Sequence, residues 1–278
     1  MFATLILIPL GVLAGFLSGL FSLGGGITVT PALAFTLPHF GVQADSLMKV
    51  AIGTALSIMF INSLSTAYHH NKTTKIDYKV IKAFSPSIII GSIIGCTMAS
   101  KLPSNALLAF FILFLGYIIV IKFKKNTVPN SAPVTEPEHL AKLIIIPYGI
   151  ITGIISASVG GGSSFMIVPF LNRRGYPIRE GVAISSLFNA FLALTGALSY
   201  LLLGLHDKTL PHYCIGYIYL PAFLLVLLGS FFGVPLGVRL IKFIPEQKAK
   251  IFYFTLTVFI FFLMLAKLLQ TTKMFTHF

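Results

Sequence analysis

The chain has 278 residues, 56% of them hydrophobic and only 10% charged, with a mean hydropathy of +0.93. A water-soluble domain carries roughly a quarter of its residues as charges, so this composition excludes one and places the chain in a bilayer. The net charge of +13 reads as lysine and arginine held in cytoplasmic loops, not as a nucleic-acid surface.

Apolar runs predict segments at about 3–22, 27–37, 48–68, 79–100 and 105–123, then at about 143–159, 165–172, 182–203, 216–238 and 251–270. No alternating barrel-like strands occur, and open backbone is too costly in lipid, so the segments read as helices. The first run has no basic leader and no clear cleavage site, so it reads as a retained helix. Between the halves, residues 124–141 carry Pro129, Pro133 and Pro137 among polar residues, a linker composition. The expected organisation is a first membrane repeat at 1–123, a cytoplasmic linker at 124–141 and a second repeat at 142–278. Cys96 and Cys214 imply no disulfide framework.

Runs 27–37 and 165–172 are shorter than the roughly 20 residues of an ordinary span. If each is a return leg, the side holding 72–82, 122–142, 173–179 and 239–250 collects 15 lysines and arginines, and the other side holds 5. If they do not return, the same residues divide 11 against 9. The positive-inside rule selects the first count. It implies inverted repeats with both termini outside, each half a glycine-tipped short-helix hairpin followed by three transmembrane helices. Whether the short pairs cross thinly or re-enter stays open, with the hairpin favoured because eleven helical residues reach only about 16 Å.

The halves repeat each other. Pro9, Gly11, Gly15, Ser18 and Pro31 recur 138 positions later as Pro147, Gly149, Gly153, Ser156 and Pro169. Glycine triplets, Gly24 to Gly26 and Gly160 to Gly162, lie between the serine and the final proline of each set. Gly91-Ser92-x-x-Gly95 is echoed by Gly229-Ser230-x-x-Gly233. Duplicated apolar halves interrupted by glycine at the same place are the pattern of a secondary transporter. Gly11-x-x-x-Gly15 reads as close helix packing. The triplets read differently, because each opens a helical run bearing hydroxyls, Thr28 and Thr30 or Ser163 and Ser164. A glycine break at a helix start aims free N–H groups and the positive dipole end at one point, an anion site without a buried cation.

The third segments add polar stripes: Thr54, Ser57, Asn62 and Ser65 in one half, Ser185, Ser186, Asn189 and Gly196 in the other. Most such groups bond to their own backbone. Asn62 and Asn189 are the stronger substrate candidates, since an amide is expensive to bury unsatisfied. The expected site is Gly24, Gly25, Gly26, Thr28, Thr54 and Asn62 with Gly160, Gly161, Gly162, Ser163, Ser164, Ser186 and Asn189. All seven acidic residues fall in predicted loops or segment ends, leaving no midplane carboxylate for sodium or a proton. His69 and His70 are expected in a solvated mouth at a helix end. No hydrolytic motif occurs in context, so neither an enzyme, a cofactor nor a metal is expected.

The duplicated LGGGITVTP and VGGGSSFMIVP motifs, the stretch AIGTALSIMF, the loop HHNKTTKIDY and the G-S-x-x-G segments ending in K-L-P and F-I-P resemble the TauE/SafE sulfite exporter family. The resemblance touches nearly the whole chain. It implies duplicated halves in a bacterial inner membrane and movement of sulfur-containing anions such as sulfite, sulfonates or sulfoacetate. The second half departs from the pattern, with six residues between Gly162 and Pro169. The implied partners are a small anion and lipid, with no nucleic acid, and self-association is left open. Two alternatives remain: an anion uptake permease of the same fold, and a non-transporting membrane scaffold or assembly factor whose glycines serve packing alone.

Overall fold

The computed structural model describes residues 6–22, 25–72, 74, 76–124, 142–207, 209–240, 243 and 246–276. Gly24 and, apart from Lys124, the expected 124–141 linker lie outside the described residues. The first half forms α1 (Leu7–Phe21), α2 (Gly26–Thr36), α3 (Leu47–Asn71), α4 (Tyr78–Lys101) and α5 (Ser104–Lys124). The second forms α6 (Lys142–Val159), α7 (Ser164–Arg173), α8 (Ile178–Gly204), α9 (Leu220–Leu240) and α10 (Glu246–Thr276). Among the described residues, α3, α4, α8 and α9 are each long and apolar enough to cross a membrane. The protein is an all-α, multi-pass membrane protein.

The run expected at 216–238 is a helix only from Leu220. Before it, Cys214–Ile215 (β1) pairs with Ile218–Tyr219 (β2) in a two-residue hairpin. Gly216, at φ +53°, makes that reversal possible, because glycine has no Cβ to obstruct a left-handed turn.

Helix pairing crosses between the halves. Helix α1 runs along α9 and α6 along α4, while α3 pairs with α8 and α5 with α10. Exchanging the two halves maps each pairing onto its counterpart. Glycine makes the first two pairs unusually close. A Cβ at Gly11, Gly229 or Gly233 would overlap the backbone carbonyl of Val226, Ile8 or Val12, respectively. At Gly95 and Gly153 it would stand 2.5 Å from the carbonyl oxygens of Ile154 and Ile88. The G-x-x-x-G and G-S-x-x-G motifs are therefore two sides of one contact, made twice. In lipid such pairs hold through van der Waals packing, which improves as backbones approach. Gly233→Ala should accordingly cost about 1–3 kcal/mol by overpacking, read as earlier unfolding in detergent. An unchanged transition would show that the interface is loose.

Helix α2 ends against α10. Pro38 has no N–H, so the Ala34 carbonyl lacks its donor one turn on. Lys267 of α10 supplies one, with Nζ 2.6 Å from that oxygen and 4.5 Å from the Phe35 ring centroid.

Candidate functional site

Both short-helix pairs break in the left-handed region. Ser22 caps α1 at φ +53°, and Gly25 precedes α2 at φ +82°. In the second half Gly160 follows α6 at φ +64°, and Gly162 precedes α7 at φ +80°. The two breaks touch: a Cβ on Gly26 would overlap the Gly160 carbonyl oxygen. Met59 and Asn62 of α3 flank the first break, and Ile52 flanks the second. Asn62 lies about 23 Å and 14 Å from the two ends of α3, and Asn189 about 17 Å and 23 Å from those of α8. The contact therefore sits near half-height of the central pair, with the N-termini of α2 and α7 directed into it.

Asn189 ties the breaks together. Its Oδ1 accepts from the Ser163 N–H at 2.6 Å and the Ser163 hydroxyl at 2.8 Å. Its Nδ2 donates to Ser164 Oγ at 2.8 Å and to the Ser22 carbonyl. Ser164 Oγ donates to that same carbonyl at 2.5 Å. The Asn189 amide thus serves as a cap for α7 supplied from another helix, and all three side chains are buried. Asn62 is placed differently. Its Nδ2 donates to Ser230 Oγ at 3.2 Å, at the α1–α9 seam beside Gly25.

The remaining expected residues divide. Thr28 and Ser186 donate to their own helices, at Gly25 O (2.8 Å) and Ala183 O (2.6 Å). Thr54 is taken by the β-hairpin, its Oγ1 accepting from the Tyr219 N–H at 2.9 Å. Gly161 faces the apolar side chains of Val159, Phe114 and Ile27. Sequence reasoning did not single out Ser22, whose carbonyl is the hub between the breaks, or Met59, whose sulfur lies against Gly26.

No described carboxylate approaches the contact. Asp45 and Asp207 lie in loops, Asp77 caps α4 and Glu180 is in the first turn of α8. Among the described residues no three His, Cys, Asp or Glu gather as metal ligands. The expectation of a solvated mouth fails for His70, which is buried with Nε2 3.3 Å from the Gly19 carbonyl. The cause is the close approach of α1 to the end of α3.

A family model described as sulfite exporter TauE/SafE matches residues 7–264, from the first turn of α1 into α10. The chain belongs to the TauE/SafE sulfite exporter family. It is similar to a "Probable membrane transporter protein" of Haemophilus influenzae, 31% identical over 88% of this chain and 92% of that one. A similarly named protein of Methanocaldococcus jannaschii is 29% identical over 90% and 92% of the two chains. One from Bacillus subtilis is 28% identical over 72% and 78%. No solved structure matches. As a TauE/SafE protein the chain is a membrane transporter and not an enzyme, and the meeting of its glycine breaks is the candidate transport site.

The β-hairpin of this TauE/SafE chain covers one end of the α3–α8 pair. The Tyr217 N–H donates to the Tyr200 carbonyl at 3.2 Å, and Tyr217 OH donates to Asp207 at 3.1 Å. The Thr209 hydroxyl is the main cause holding the Asp207 carboxyl below its ordinary range, while burial and Asp207 push the Tyr217 phenol up to about 12.

Proposed function

We propose that the protein exports small sulfur-containing oxyanions, such as sulfite or organosulfonates, from the cytoplasm through the contact between its glycine breaks. The supporting observation is that contact itself. Two helix N-termini meet at half-height beside buried amides and hydroxyls, with no described carboxylate near. Anions are favoured there by the dipoles and the first-turn N–H groups, and glycine lets an oxygen reach the backbone. In the described conformation Asn189 Oδ1 takes from Ser163 the two hydrogen bonds that an anion oxygen would take. Substrate entry then means displacing that amide and parting the tips. Gly162→Val and Asn189→Ala should each abolish sulfite flux in proteoliposomes while leaving a folded protein. Undiminished flux in both would remove the site.

The same reading makes the halves inverted repeats in a bacterial inner membrane, with the 124–141 linker inside and both termini outside. The 15-to-5 division of basic residues supports it. On a background lacking Cys96 and Cys214, a cysteine at His206 should react with an impermeant reagent in intact cells, and one at Asn71 should not. The reverse pattern would overturn the orientation.

A further inference from the structure

The two breaks differ in a way that the duplication makes visible. At the 138-residue offset Ser22 stands where the second half has Gly160, and both residues are left-handed, at φ +53° and +64°. Glycine takes that conformation freely, whereas a serine pays for it. Among the described residues, Ser22 is the one non-glycine with positive φ. Its hydroxyl does not repay that cost within the protein: the residue is 1% exposed, and Oγ has no hydrogen-bond partner.

A second hydroxyl nearby is in the same state. Thr30 is fully buried, and its Oγ1 is unpartnered although it sits on a helix. Helical hydroxyls usually bond back to a carbonyl three or four residues earlier. Thr28, Ser57, Ser185 and Ser186 all do so here. Thr30 Oγ1 instead points at the tip contact, 2.9 Å from where a Gly160 Cβ would stand. Two buried donors without acceptors thus border the place where the breaks touch, both from the first half. Ser163 and Ser164, which open α7, are by contrast satisfied by Asn189 and Ser22, although Ser156 near the end of α6 is also buried without a partner.

We propose that the Ser22 and Thr30 hydroxyls are ligands of the transported anion, donating to separate oxygens of one oxyanion when the tips part. The inference rests on the site proposed above and adds two residues to it. An oxyanion presents several acceptor oxygens at fixed angles and can use both donors together with the Gly26 and Ile27 N–H groups. The latter open α2 and have no carbonyl a turn earlier in that helix. A halide, a single sphere, lacks that division.

The test is thermal unfolding of the purified protein, titrated with sulfite and, at equal ionic strength, with chloride. Ser22→Gly relieves the left-handed serine, and Thr30→Val removes a buried unsatisfied hydroxyl at constant shape. Both should therefore melt no earlier than wild type without anion. Each should weaken the apparent affinity for sulfite by about ten-fold or more, the scale of a hydrogen bond to a charged group. Tyr200→Phe removes another buried unpartnered hydroxyl, about 17 Å along α8 from Asn189, and should leave the sulfite response intact. Equal responses to sulfite in wild type, Ser22→Gly and Thr30→Val would overturn the hydroxyl pair while leaving the site standing. A chloride response matching that of sulfite would overturn the oxyanion class. No response of wild type to either anion would defeat the site and the pair together.

Discussion

A Gly26→Ala protein should insert and fold but lose transport by about a hundred-fold, the scale on which a 1 Å misplacement acts. Position 26 is the first helical residue of α2 and has no positive φ. Alanine is locally preferred to glycine in a helix by about 1 kcal/mol, so backbone preference would favour the substitution. Any loss must then come from the added methyl, which would overlap the Gly160 carbonyl oxygen and stand 3.0 Å from its carbon. Those are backbone atoms with no rotamer to yield, so the breaks must part permanently. Gly161→Ala sets the scale for a milder change, since its nearest neighbours are the ends of Val159 and Phe114 at 3.0 and 3.1 Å. Gly116→Ala, with only the Phe261 ring at 3.5 Å, should transport normally. The measurement is sulfite flux in proteoliposomes alongside thermal unfolding. Full flux in Gly26→Ala would mean that the tip contact does not belong to the transport cycle.

What the sequence revealed and what it concealed follow from the range of the interactions. The short helices were legible because glycine and proline act locally: the triplets interrupt helices, and Pro31 and Pro169 recur at the same place in each. The packing role of Gly11 and Gly15 was legible from spacing, but their partner was not. Val226 and Ser230 lie more than two hundred positions away, and in the other half. The two asparagines looked alike in sequence, as amides on third segments. In space Asn189 caps the start of α7 and grips Ser22 of the other half, whereas Asn62 braces a seam at Ser230. Thr54 looked like a lining residue because its stripe is polar. Which face of α3 meets the β-hairpin depends on a turn at Gly216, far along the chain. Ser22 was hidden by its ordinariness: a serine after a helix is unremarkable until its φ and its unpartnered hydroxyl are known.

Sulfite monoanion efflux from liposomes held at 100 mV, negative inside, should run to about a fifty-fold concentration ratio before it stops. Each charge crossing that potential gains about 2.3 kcal/mol, enough to drive export without another ion. Uptake would face the same energy as a barrier and would need a coupled cation. Oxygen-rich carboxylates are the usual means of binding one, yet Asp45, Asp77, Glu180 and Asp207 all sit at helix ends or in loops. Lys267, within α10, is engaged with the Ala34 carbonyl. The contact between the breaks instead offers N–H and hydroxyl donors, which suit an anion travelling alone. Potassium gradients with valinomycin set the voltage in either direction, and flux should reverse with its sign. Flux indifferent to voltage but following an imposed proton gradient would defeat the electrogenic mechanism. It would direct attention to His70, the buried imidazole held against Gly19 where α1 meets the end of α3.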